Sequence, residues 1–221
     1  MTQDTTGQLL CSSCGVTVPN QVHFCISCEH ILPLPDRVSY FEFMELPLKL
    51  DIDLKDLEKT FYRLSRQFHP DFYQNRPDSE QRAALARAAT LNRAYDTLRD
   101  PIRRIEYLMR LSGFEPSTPK NQVPPDLMME ILEIQEQLED YQTAEGGEKS
   151  PIENQLKSGL EEMKERLEGT NGQLEALCRE YDRADEASKK MVLERMRVII
   201  DKSNYLRRII ENIESTLGIG S

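Results

Sequence analysis

The apolar positions of this chain recur every three or four residues along most of its length, which is the period of an amphipathic helix. Starting at Leu54, the series Leu57, Phe61, Leu64 and Phe68 marks one face, while Lys55, Lys59, Tyr62, Arg63 and Arg66 fall on the other. Asp53 stands where an N-cap belongs, with Asp56 and Glu58 in the first turn favouring the positive end of the helix dipole. Phe68 is the last periodic position, because Pro70 lacks an N–H and drives His69 out of the helical region. His69-Pro70-Asp71 is therefore expected to form a loop at the end of a cationic helix.

The same reading places helices on both sides of this one. Ser39 caps a short helix through Met44 that Leu46-Pro47 ends, and Asp78 or Ser79 caps a helix with the stripe Ala84, Ala88, Leu91, Tyr95 and Leu98. Asp100-Pro101 reads as an N-cap followed by proline at the first helical position; Ile102, Ile105, Leu108, Met109 and Leu111 follow, and Gly113 stops them. The segment 113–125, with Pro116, Pro119, Pro124 and Pro125, reads as a semi-rigid linker.

Beyond it, Asp126 opens a helix whose stripe is Leu127, Ile131, Ile134, Leu138 and Tyr141. Met128, Met129 and Leu132 lie off that stripe and project from the far side, beside Glu133 and Glu136. Such a helix is either sandwiched between two others or carries a docking face, for which methionines ringed by carboxylates are well suited. A second helix begins at Pro151 and carries Ile152, Leu156, Leu160, Met163, Leu167, Leu174 and Leu177; Gly169-Thr-Asn-Gly172 is either a break in it or a tolerated irregularity. The last stripe is Val192, Met196, Ile199, Ser203, Leu206, Ile210, Ile213 and Leu217, and Tyr205 falls off it. Three helices with one stripe each predict an antiparallel bundle.

No alternating run predicts a sheet beyond the cysteine-rich N-terminus, so the fold class expected is all-α: a helical domain over residues 38–113 and a three-helix bundle over 114–221. Composition changes this picture in one respect. The formal net charge of -10, with 30% charged residues, argues against nucleic acid or an anionic membrane as main ligand. The basic helix is a local exception and fits an acidic patch on another protein. No run is apolar enough to span a bilayer, and residues 1–7 are unlike a targeting peptide, so a soluble, cytoplasmic protein is expected.

Four of the five cysteines form Cys11-Ser-Ser-Cys14 and Cys25-Ile-Ser-Cys28. Two such knuckles can give four thiolates to one tetrahedral ion, and a structural Zn²⁺ is the expected cofactor of a module over residues 1–37. A rubredoxin-like iron site, an iron–sulfur cluster or redox-active disulfides are the alternatives. His23 and His30 flank the second knuckle and are taken as bystanders, since four cysteines already close a site. Cys178 stands alone in a helical pattern.

His69-Pro70-Asp71 after a basic helix, within residues 40–113, resembles a J-domain. Phe41-Glu-Phe-Met-Glu-Leu46, Leu91-Asn-Arg-Ala-Tyr95, Asp100-Pro101 and Glu106-Tyr-Leu-Met-Arg-Leu111 resemble the HscB family of J-proteins in particular. The resemblance implies a co-chaperone of iron–sulfur cluster assembly and not an enzyme. By that resemblance, His69, Pro70, Asp71, Lys59, Tyr62, Arg63 and Arg66 engage an HscA/DnaK-type chaperone and stimulate its ATPase. Met128, Met129, Leu132, Glu133, Glu136 and Tyr205 likewise hold an IscU-type iron–sulfur scaffold protein. Some HscB-like proteins carry a comparable two-knuckle extension. A general J-protein with another client, or a redox or iron-binding protein using the four cysteines, are the rival readings.

Overall fold

The computed structural model describes residues 9–19, 23–35, 37–115 and 127–219. The chain divides into two compact units, Met1–Leu111 and Ser112–Ser221. The first unit opens with a two-stranded antiparallel ribbon, β1 (Leu9–Leu10) and β2 (Thr17–Val18), with Leu9 paired to Val18. Cys11, Val18, Cys25 and Leu32 make a small core beside it.

Helix α1 (Tyr40–Phe43) starts at Ser39 in a reciprocal capping box: Ser39 Oγ accepts from Glu42 N, and the Glu42 carboxylate accepts from Ser39 N. Its Tyr40 N–H donates to the Tyr107 hydroxyl at 2.9 Å and the two rings stack, tying the first helix to the fourth. Helix α2 (Leu54–Gln67) is capped by Asp53, as its sequence predicts. Leu57, Leu64 and Phe68 are buried, Phe61 stacks on Tyr95, and Leu54 is exposed.

Helix α3 (Asp78–Arg99) runs back along α2 and begins one residue earlier than an Asp78 cap would give, with Pro77 in the cap position. Gln81 Nε2 closes the return by donating to the carbonyls of Arg76 and Gln74. Helix α4 (Pro101–Leu111) is capped by Asp100, which accepts from Arg103 N at 2.9 Å. Gly113, at φ +63°, supplies the left-handed residue that stops it.

The predicted linker prolines and Asp126 lie outside the described residues. In the second unit α5 (Met128–Thr143), α6 (Lys149–Arg183) and α7 (Glu186–Leu217) pack as a bundle around Leu127, Ile134, Leu156, Leu160, Met163, Leu206, Ile210 and Ile213. Helix α6 is unbroken through Gly169–Gly172, where the buried Thr170 hydroxyl bonds back to the Leu167 carbonyl and Leu174 holds the next turn in the core. Asp185 caps α7, and hydrogen bonds from the Ser188 hydroxyl and then from the Ser188 N–H hold its carboxyl below the usual range. The stripe of α7 is buried as predicted at Val192, Met196, Ser203, Leu206, Ile210 and Ile213; at Ile199 it is only half-buried, and the adjacent Ile200 fills the core instead. Among the described residues no helix is long and apolar enough to cross a membrane.

Candidate functional site

Three groups of exposed or chemically distinctive residues stand out from this framework. The first is the pair of knuckles. The tight turns between each cysteine pair are closed by Gly15 N donating to Cys11 O and Glu29 N to Cys25 O, both at 2.9 Å. The residue after each knuckle is left-handed, Gly15 at φ +73° and Glu29 at φ +57°.

The four Sγ atoms lie within 4.8 Å of one another, with Cys11–Cys28 and Cys14–Cys25 both 3.6 Å apart, and none is in a disulfide. Sulfurs bound at about 2.3 Å to one tetrahedral ion stand about 3.8 Å apart, so the spacing of the donor set suits a closed four-sulfur site. The Ser27 N–H, 3.4 Å from Cys25 Sγ, lowers that thiol to about 6 in spite of burial. Cys14 is pushed the other way, to about 12: the Val16 N–H favours its thiolate, but the Cys28 thiol and burial outweigh it. The cluster can hold one metal ion.

The second group is the end of α2. Lys55, Lys59, Tyr62, Arg63 and Arg66 are all exposed on the face opposite Leu57 and Leu64. Their charges differ in freedom. Lys59 is paired with Asp56, which raises its pKa, and Arg63 is held by the Glu45 carboxylate. Beyond the helix, His69 caps a 3-10 turn over Pro70–Tyr73, so the predicted loop has regular structure within it. His69 Nδ1 faces the Asp71 N–H at 3.4 Å, Gln74 Nε2 donates to Asp71 Oδ1 at 3.2 Å, and the Tyr73 hydroxyl donates to the Gln67 carbonyl. The His69 ring and the Asp71 carboxylate remain 53% and 70% exposed. They sit 3.5 Å apart as a fixed, solvent-facing pair.

The third group is on the bundle. Met128, Met129 and Leu132 are exposed, Met129 at 79%, and Glu133 and Glu136 are exposed beside them. Tyr205 on α7 is half-buried, with the Arg208 guanidinium 5.8 Å from its ring centre. Leu127 and Leu206, the neighbours of Met128 and Tyr205 in sequence, meet in one core cluster.

Sequence reasoning missed a fourth feature. His23, taken as a bystander, is 6% exposed and bonded at both ring nitrogens: Nε2 to the Phe43 carbonyl at 3.1 Å and Nδ1 to Arg87 Nη1 at 2.6 Å. Burial, then the Arg87 charge, lower its pKa to about 4, so it is neutral at pH 7. Arg87, buried in α3, also donates to the carbonyls of Leu32 and Pro33. The only sequence signal was an arginine on the buried side of a helix, in step with Ala84 and Leu91.

Comparison with known proteins matches two families in one chain. Residues 39–107 match the DnaJ domain, and residues 123–214 match the domain described as the HSCB C-terminal oligomerisation domain. The crystal structure of human co-chaperone protein HscB superposes with a TM-score of 0.62 at 24% identity, over 94% of this chain and 98% of that one. Chaperone HscB from Vibrio cholerae gives 0.53 at 26% identity, over 80% of this chain and 99% of its own.

Proposed function

Because the chain belongs to the HscB family, carrying its J-domain and its C-terminal domain in one polypeptide, we propose that it couples an iron–sulfur scaffold protein to a chaperone ATPase. In this reading residues 38–113 engage an HscA/DnaK-type chaperone. Lys59, Tyr62, Arg63 and Arg66 steer it, and His69, Pro70 and Asp71 trigger its ATP hydrolysis. Residues 114–221 hold an IscU-type scaffold through Met128, Met129, Leu132, Glu133, Glu136 and Tyr205. Hydrolysis on the partner traps the scaffold in its tightly held state, and the cluster can be passed on.

The observation that carries the reading is the exposed His69–Asp71 pair at the end of a cationic helix, in the same chain as an apolar patch ringed by carboxylates. The exposed charges act on approach, since long-range attraction chiefly accelerates encounter and is screened by salt. The coupling itself requires that the co-chaperone bind the two nucleotide states of its partner unequally. In residues 1–37 we assign Cys11, Cys14, Cys25 and Cys28 to one structural Zn²⁺. A closed sulfur set leaves no open position for substrate, which favours a structural over a reactive metal.

The test is a pull-down with residues 112–221, the unit that is compact by itself, joined to an ATPase assay with the full chain. Capture of the scaffold, together with stimulation that rises further when scaffold is added, is expected. Capture of other proteins but not the scaffold assigns the chain to general J-proteins instead.

A further inference from the structure

His69 and Asp71 are exposed, yet Phe68, the residue they hang from, is completely buried. What surrounds its ring decides where the turn begins. Phe43 of α1 lies 6.1 Å away, tilted, and the Arg87 guanidinium stands 5.8 Å from the ring centre. The other two neighbours come from the knuckle segment: Phe24 stacks at 5.9 Å and His23 meets the ring edge-on at 5.0 Å.

Those two are themselves fastened. His23 donates from Nε2 to the Phe43 carbonyl and accepts at Nδ1 from Arg87, so one tautomer satisfies both partners. Arg87 donates in addition to Leu32 O at 2.9 Å and Pro33 O at 3.2 Å. Three acceptors of this buried guanidinium therefore come from the segment that follows β2. A buried cation stripped of acceptors is expensive, so the knuckle segment and α3 hold each other in place.

We propose that His23 is a positioning residue for the His-Pro-Asp turn: through Arg87 and Phe68 it fixes the point from which His69 departs, making the cysteine-bearing extension part of the ATPase-stimulating apparatus. The inference rests on the co-chaperone reading above. It separates two tasks, since the exposed cations of α2 recruit the partner whereas the braced turn acts on it once bound. Supporting residues that lock the rotamers of a functional group commonly decide how well that group works.

The experiment titrates a DnaK-type ATPase with the full-length protein as wild type, His23→Leu, His23→Gln and, as control, His69→Gln. Metal content and the thermal melt of each are recorded. Leucine fills the space but loses both hydrogen bonds; the glutamine amide can donate to Phe43 O and accept from Arg87. At a temperature where every variant is folded, His23→Leu is expected to lower the maximal stimulated rate about tenfold with the half-saturating concentration nearly unchanged, and His23→Gln to recover most of it. A brace that only stabilises the fold predicts a lower melting temperature and an unchanged maximal rate, and that result overturns the proposal. Should His23→Leu not fold, Phe24→Leu removes the stacking while leaving the hydrogen bonds; a wild-type maximal rate there overturns the proposal equally. If wild type itself gives no stimulation while binding the scaffold, the chaperone reading fails and this inference fails with it. If wild type stimulates and only the His23 and Phe24 effects are missing, the positioning role alone is lost.

Discussion

Replacing Met128, Met129, Leu132 and Tyr205 together by alanine should remove scaffold binding and leave the bundle folded. Met128, Met129 and Leu132 are 49%, 79% and 57% exposed. Full burial of such a side chain stabilises by about 1.5–3 kcal/mol, so in proportion to the surface they hide these three together contribute about 2–3 kcal/mol, and half-buried Tyr205 adds about 1–2. The control is Leu127, Ile131, Leu206 and Ile210, of which Leu127 and Leu206 are fully buried and Ile210 is 8% exposed. Core truncations cost about 2–5 kcal/mol each, so the three buried residues alone lose roughly 6–15 kcal/mol and partly buried Ile131 adds to it, against an ordinary domain stability of roughly 5–15. Circular dichroism melts should show a lowered but cooperative transition for the first variant and none for the second. Calorimetry with the scaffold should show affinity falling more than about 100-fold in the folded variant, because a few apolar anchors usually dominate an interface. If the first variant melts like the control, those side chains are packing; if it folds and binds as wild type, the scaffold is recognised elsewhere.

Purified protein should carry one Zn²⁺ per chain with four sulfur neighbours at about 2.3 Å by X-ray absorption, and an iron spectrum in the native protein would contradict the assignment. Glu29 adopts a left-handed conformation that costs a residue with a Cβ about 1–2 kcal/mol, so Glu29→Gly should delay metal loss to a chelator; faster loss would show that the Glu29 side chain matters more than its backbone. Arg66→Glu should slow chaperone association and flatten its dependence on salt, as expected for an exposed steering charge, and an effect confined to the dissociation rate would count against steering.

The features legible from sequence were the local ones. Ser39, Asp53 and Asp100-Pro101 each satisfy backbone groups within a few residues, so their meaning needs no tertiary information. The exposed patch was legible because Met128, Met129 and Leu132 break the period that Leu127, Ile131 and Ile134 keep. The brace was hidden because its parts lie far apart: His23 and Arg87 are separated by 64 positions, and each looks like an ordinary polar residue in its own segment. Arg63 was readable as exposed but not as tied to Glu45, which itself adopts a left-handed conformation that sequence does not announce. The continuity of α6 past Gly169 and Gly172 was undetermined locally, since two glycines weaken a helix by about 1 kcal/mol each and only packing of Thr170 and Leu174 decides the outcome.

The central claim is that a fixed, solvent-facing His69–Asp71 pair stimulates a chaperone ATPase while contributing little to this protein's own stability. Single-turnover ATP hydrolysis by an HscA/DnaK-type chaperone should therefore be measured with wild type, His69→Gln and Asp71→Asn, alongside their melts and scaffold affinities. The account predicts that both substitutions abolish stimulation with melting temperature and scaffold binding unchanged; full stimulation by either variant contradicts it.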